Sequence, residues 1–224
     1  MLNNGIRLVK FDSAESLERV IDAIGETPLP PYIKRDPGGD ANDQERYQTI
    51  YASQRGAIAA PTAGLHFTPS VLQNVKAQGV SIVEITLHVG YGTFERVRTD
   101  DVLFHRVAPE WSSIGREAAR TINDARALGG RVTAVGTTTT RALESAAGGD
   151  GRIEARSGFI DLTIVPGYEF RAVDVLLTNF HLPRSSLLIL VSSFAGRDLI
   201  LDAYRHAVTE GYRFYSYGDC MLIL

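Results

Sequence analysis

Short apolar runs in this chain repeatedly end in clusters of glycine, hydroxyl and imidazole, and this pattern restricts the fold more than any other feature. Residues 59–68 read Ala-Ala-Pro-Thr-Ala-Gly-Leu-His-Phe-Thr, and residues 86–94 read Thr-Leu-His-Val-Gly-Tyr-Gly-Thr-Phe. In open α/β sheets ligands sit outside the carboxyl ends of the strands, so such clusters mark expected site positions. Two further runs behave alike. A strand expected over 131–135 feeds Gly136-Thr137-Thr138, and one over 174–177 feeds Thr178-Asn179-Phe180-His181. If these strands are parallel, the clusters converge on one rim, with helix amino termini directing free N–H groups at a ligand.

The remaining punctuation gives alternating strands and helices. Residues before about 28 read as a short strand and an amphipathic helix, and Pro28-Leu-Pro-Pro31 with Asp36-Pro-Gly-Gly39 forms a stiff connector. Asn42 or Asp43 is expected to cap a helix through Tyr51, and 57–60 is expected to be a short buried strand. Thr68 caps and Pro69 opens a helix that Gly79 closes. Strand 80–88 follows, then a helix capped by Ser112 or Ser113 and running to Leu128, where Gly129-Gly130 ends it. A helix over 138–147, strands over 159–165 and 174–177, a helix capped by Ser185 and stopped by Gly196, a helix over 198–209 and a strand over 220–224 complete the reading. The expected class is α/β, a mostly parallel sheet with flanking helices.

Composition excludes several functions. Lys and Arg total 23 against 26 Asp and Glu, a net charge of -3, so no general basic field draws in nucleic acid. Cys220 is the single cysteine, which removes disulfides and cysteine-rich zinc sites and suits a reducing, cytoplasmic setting; in the last strand it reads as a small buried hydrophobe. The amino terminus has no sustained apolar stretch, and the run at 187–191 is far too short for a bilayer, so no membrane association is expected. Gly90-Tyr91-Gly92 lacks the third glycine of a dinucleotide fingerprint, and Gly136 with its threonines lacks the lysine of a P-loop. His66 and His88 have no histidine partner at metal-ligand spacing, so no metal is expected. Ser192 and Ser193 lack a nucleophile elbow, which argues against acyl transfer.

Taken together, several segments resemble the S-adenosylmethionine:tRNA ribosyltransferase-isomerases of queuosine biosynthesis. They are Glu45-Arg-Tyr-Gln-Thr-Ile-Tyr51, Ala60-Pro-Thr-Ala-Gly-Leu-His-Phe-Thr68, Thr86-Leu-His-Val-Gly-Tyr-Gly-Thr-Phe94, Ala134-Val-Gly-Thr-Thr138 with Arg141 and Glu144, Thr178-Asn-Phe-His-Leu-Pro183 through Gly196, and Tyr212-Arg-Phe-Tyr-Ser-Tyr-Gly-Asp219. The resemblance runs from about Pro28 to the end. It implies transfer and rearrangement of the ribosyl part of S-adenosylmethionine onto 7-aminomethyl-7-deazaguanine at the tRNA wobble position, giving epoxyqueuosine, adenine and methionine. S-adenosylmethionine would be a co-substrate, with no other cofactor.

The resemblance has two departures. Family members begin upstream, with the first part of the α/β domain and an inserted β-barrel. Residues 1–27 are therefore expected to be a barrel remnant with a linker helix, its Ile6, Leu8 and Val9 lacking strand partners, and 28–224 to be an incomplete α/β catalytic domain. A separate chain supplying the upstream part is one way to complete it. The family also carries two histidines and a glutamate where this chain has His105-Arg-Val-Ala-Pro-Glu110, so Ala108 replaces the second histidine. His105 and Glu110 then form either a functional contact or a solvated loop pair.

The implied chemistry sets what the site must hold. A sulfonium acidifies the protons on C5′, so a positioned base forms an ylide; the attacking amine must be neutral; departing adenine needs a proton or strong hydrogen bonds. Imidazoles, with ordinary pKa values near ~6.5, suit both roles. His88 and His181 are the proton-transfer candidates, with His66 third, although a lone histidine is as readily a structural imidazole. Thr62, Gly64, Gly90, Gly92, Thr93, Gly136, Thr137 and Asn179 are expected to shape the nucleoside pocket. Glu45, Arg46 and Tyr47 are either ligand contacts or a capping acid with a core tyrosine. Asp219, with Tyr215 and Tyr217, offers a carboxylate and aromatic faces to a sulfonium or packs a strand edge. Glu144 either receives a ribose hydroxyl or pairs with Arg141 at i, i+3, the pairing being the preferred reading. Arg96, Arg98, Arg184 and Arg213 are phosphate-contact candidates. Two other readings stand beside the transferase: a non-catalytic remnant that retains nucleoside or tRNA binding, and an unrelated α/β nucleotide-binding module.

Overall fold

The computed structural model describes residues 9–12, 16–30, 32–36, 40, 42–90 and 96–224. Among the described residues, two three-stranded sheets hold the chain together. In one, β1 (Thr86–His88), β2 (Glu110–Ile114) and β4 (Arg156–Ile160) run antiparallel, with His88 opposite Trp111 and Trp111 opposite Phe159. In the other, β3 (Thr133–Val135) lies parallel to β5 (Val175–Asn179), and β6 (Cys220–Ile223) lies antiparallel to β5.

The mixed α/β class holds, but the expected mostly parallel sheet does not: β3–β5 is the one parallel pairing among the described strands. A parallel pair needs a long crossover, and α5 (Thr137–Ala146) supplies it between β3 and β5. Between β5 and β6 stand two helices, α6 (Ser186–Ala195) and α7 (Arg197–Thr209), joined at Gly196. The chain then re-enters the sheet where β5 leaves it, Cys220 opposite Asn179, so β6 runs backwards.

Local chemistry explains the helices that follow expectation. Thr68 Oγ1 accepts from the Val71 N–H, Pro69 opens α3 (Pro69–Ala77), and Gly79 follows at φ 80. Ser185 caps α6 through the Leu188 N–H, and Gly196 at φ 88 ends it. A serine, Ser16, also caps α1 (Leu17–Ile24), whose Leu17, Ile21 and Ile24 are exposed.

Five expected elements are corrected. The helix at 42–51 shrinks to α2 (Asp43–Arg46), where Asn42 makes no side-chain cap. Residues 57–60 form no strand; the Ile58 and Ala59 amides bond to the Val89 carbonyl instead. The strands expected at 80–88 and 159–165 contract or shift to β1 and β4. Ser112 and Ser113 sit inside β2 and cap nothing; Gly115 precedes α4 (Arg116–Ala127). The barrel-remnant strand falls largely on residues 1–8, outside the described residues, as do Ile6 and Leu8; Val9 is exposed.

The core lies between α5, α6, α7 and the β3–β5–β6 sheet, around Ala134, Leu143, Leu176, Leu190, Val191 and Ile200, with Ile114 and Ile122 joining from β2 and α4. Each buried Leu, Ile or Val contributes about 1.5–3 kcal/mol. This anchors the carboxyl tips of β3 and β5, on which the candidate site is built.

Candidate active site

At the β5 tip the chain passes from a buried strand into Thr178, Asn179 and His181, all with at most 9% exposure. Buried polar side chains must find partners, and these find them locally. Asn179 Oδ1 accepts from Thr62 Oγ1 at 3.2 Å, and Asn179 Nδ2 lies 3.0 Å from His66 Nε2. Thr178 Oγ1 lies 2.8 Å from His181 Nε2, and the His181 amide donates to the Tyr204 hydroxyl at 2.8 Å.

The 3₁₀ turn Thr62–His66 thus sits directly on the strand tip. Its packing favours Gly64, because a Cβ there would run into the Tyr51 hydroxyl and approach Thr49 Cγ2 to 2.7 Å. Across from it, β3 ends at Gly136, whose φ of 94 is open to glycine and strained for other residues. That turn starts α5, whose Thr137, Thr138 and Thr139 face the same cleft. The walls also include Ala60, Pro61, Ala63, Val89 and Leu187.

Burial sets the charge of these groups. His181 is pushed down to about 3 by burial, so it is neutral near pH 7. Burial also lowers His66, while the Asp219 carboxylate opposes that shift. Tyr204 is raised by burial to about 12 and remains a phenol.

The expected residues divide into three groups. Thr62, Gly136, Thr137, Asn179 and His181 line the cleft, His66 joins them through Asn179, and Gly64 shapes the turn. His88 does not line it: the ring stacks on Trp111 at 4.7 Å, and its buried Nε2 has no hydrogen-bond partner among the described residues. Gly90 donates its N–H to Glu110 Oε1 at 3.0 Å. Gly92 and Thr93 lie outside the described residues. Glu45 and Arg46 are exposed on α2, Arg46 lies 5.6 Å over the Tyr217 ring, and buried Tyr47 meets Tyr217 edge-on. The Asp219 carboxylate accepts from the Arg213 amide at 2.7 Å.

Two side-chain expectations are overturned. Glu144 does not pair with Arg141; it accepts from the Tyr168 hydroxyl and the amides of Arg171, Ala172 and Val173. Arg141 instead bonds Glu110 Oε2 at 2.7 Å, both side chains being at least nine-tenths buried. Positions three apart on a helix are neighbours, but they pair only when neither has a better partner, and here three backbone donors outcompete one guanidinium. His105 and Glu110 are likewise no solvated pair: both are buried, and His105 Nε2 lies 2.7 Å from Ser186 Oγ. Sequence reasoning had no signal for the Glu110–Arg141 pair, whose partners are 31 residues apart. Among the described residues no cluster of His, Cys, Asp or Glu is placed to hold a metal ion, and no helix is long and apolar enough to cross a membrane.

The model of the queuosine biosynthesis protein family matches residues 1–223. The chain belongs to this family. Similar proteins include the S-adenosylmethionine:tRNA ribosyltransferase-isomerases of Moorella thermoacetica, 55% identical over 98% of this chain, and of Desulfitobacterium hafniense, 53% identical over all of it. The chain spans 64% of the length of each of these relatives. A crystal structure of an S-adenosylmethionine tRNA ribosyltransferase from Thermotoga maritima is also similar, with a TM-score of 0.59 and 44% identity, over 72% of this chain and 51% of that one. The queuosine family assignment therefore rests on nearly the whole sequence, and the cleft is built from segments that carry it.

Proposed function

We propose that this chain holds the nucleoside site of an S-adenosylmethionine:tRNA ribosyltransferase-isomerase. The enzyme would move the ribosyl moiety of S-adenosylmethionine onto 7-aminomethyl-7-deazaguanine at the tRNA wobble position, form epoxyqueuosine, and release adenine and methionine in the cytoplasm. The observation that carries this reading is the meeting of Thr62, His66, Asn179 and His181 at the β5 tip, beside the α5 amino terminus, in a chain more than half identical to relatives of that name.

The site chemistry supports a division of roles. His181 is held neutral with Nε2 tied to Thr178, which suits a fixed hydrogen-bonding group better than a proton donor. His66 sits in the field of Asp219 and is the imidazole best placed to attend departing adenine. His88 is kept as the second candidate base, because its Nε2 has no hydrogen-bond partner among the described residues, but its ring stacks on Trp111 outside the cleft walls, so it would have to reach substrate from beyond them. Gly90, Gly92 and Thr93 would border the same ligand. Asp219 would face the sulfonium, and Glu45, Arg46 and Tyr47 would contact ligand from α2. Arg96 pairs as a β-bridge with Ser185, which draws exposed Arg96, Arg98 and Arg184 to one surface suited to tRNA phosphates. Residues 1–27 belong, in this reading, to the family's second domain, and a further chain would supply whatever the nucleoside site still needs.

The test is release of adenine from S-adenosylmethionine, followed with and without tRNA bearing the aminomethyl precursor. Adenine released only with that tRNA is the expected result. Binding of S-adenosylmethionine or tRNA without adenine release, even when the family's upstream part is supplied as a separate chain, would overturn it in favour of a non-catalytic remnant.

A further inference from the structure

We infer that Asn179 is a positioning residue that fixes the tautomer of His66, so that this imidazole meets its ligand as a neutral donor through Nδ1–H. Asn179 is 2% exposed, so its amide has no free access to water and its orientation is set by protein partners. The amide is oriented with Oδ1 on the Thr62 hydroxyl and the NH₂ end on His66 Nε2 at 3.0 Å. An amide NH₂ only donates, so the ring nitrogen opposite must be bare. The proton of the neutral ring is then on Nδ1.

The neighbours decide how firmly the ring stays neutral. From β5 it faces the Asn179 amide, and the charged group whose field reaches it is Asp219, just before β6. Burial outweighs that field and lowers the His66 pKa. A proton on Nε2 would also point at the NH₂ group, which disfavours the imidazolium further. The consequence is chemical. A neutral ring with N–H at Nδ1 recognises an acceptor, such as a heteroaromatic nitrogen of a purine, and is a hydrogen-bond donor before it is a base. Only this last step rests on the proposed reaction; the tautomer stands or falls without it.

The test uses the full chain with ¹⁵N-labelled histidine and two-bond ¹H–¹⁵N correlation spectra. In the wild type, His66 should show a bare Nε2 and a protonated Nδ1, and should titrate below the ordinary histidine value. Asn179→Asp places a carboxylate at Nε2, so the proton should move to Nε2 and the pKa should rise by about one unit or more. Asn179→Leu removes the donor and Thr62→Val frees the amide, and each should abolish the fixed preference. A wild-type ring protonated at Nε2 overturns the inference, whether or not the variants fold. So does an Asn179→Asp chain that keeps Nδ1–H while the signals of His88, His105, His181 and His206 stay in place. Loss of adenine release with the tautomer intact would instead count against the proposed reaction.

Discussion

Glu110 joins two parts of the molecule with its two oxygens: Oε2 accepts from Arg141 Nη1 at 2.7 Å, and Oε1 accepts from the Gly90 amide at 3.0 Å. Glu110 therefore ties α5 to the segment that leaves β1. Removing one member of a buried ion pair leaves the other charge uncompensated, at about 3–5 kcal/mol. Glu110→Ala should lower the unfolding free energy by that order in urea titrations. Burial already depresses the Arg141 pKa against the opposing pull of Glu110 and Asp161, so losing the carboxylate should depress it further.

Glu144 clasps the loop at 168–173 through three backbone amides and the Tyr168 hydroxyl. Each buried donor left without an acceptor costs about 1–3 kcal/mol. Glu144→Ala should speed hydrogen exchange at Arg171, Ala172 and Val173 well before the rest of the core, and an unchanged exchange pattern there would sink the assignment.

His181 gives a pH dependence whose sign is fixed. Its folded pKa, about 3, lies below the unfolded value of ~6.5, so between these values the unfolded chain binds more protons. Its contribution is complete above about pH 6.5 and is lost as pH falls toward 3, by roughly 4–5 kcal/mol in total. Unfolding free energies measured from pH 7 to 4 should fall less steeply for His181→Gln than for the wild type, and parallel curves would contradict this.

Gly64 and Tyr51 form a steric pair that a double-mutant cycle can isolate. Gly64→Ala should cost about 1–3 kcal/mol through overpacking, because its Cβ would meet the Tyr51 hydroxyl and Thr49 Cγ2. Adding Tyr51→Phe removes the closest of those atoms and should recover part of the loss in thermal unfolding.

For activity, His66→Ala should lower kcat for adenine release by about 10²-fold or more, the usual scale of a proton-transfer or donor group. The same loss with KM unchanged would place the effect in the reacting state. Near-wild-type kcat would remove His66 from the chemistry and leave His88 as the imidazole to pursue.

Much of this was readable in advance where a residue acts on its own neighbours. The Thr68-Pro69 start and Gly79 stop, the Ser185 cap and the Gly196 break are local backbone chemistry, and they hold. The strand-tip clusters at Gly136 and Asn179 also meet as expected, because β3 and β5 are parallel. What failed depended on distant partners. β2 buries Glu110, Ser112 and Ile114 on one face, so two of its three inward residues are polar and its serines resemble helix caps. The partners that make this tolerable, such as the Arg141 guanidinium that donates to Glu110, come from elsewhere in the chain. His88 was expected beside the other imidazoles, but β1 pairs with β2, in the other sheet, and the ring turns to Trp111.

Gly56 sits in an exposed stretch outside every helix and strand, at φ 138, where a methyl group would come within 2.6 Å of the His88 imidazole. A surface glycine therefore holds a veto over the placement of the His88 ring. In a mutational scan of this family, damage at this position would mimic damage at the ring itself, 32 residues downstream, and would be misfiled as a folding defect by anyone judging from solvent exposure.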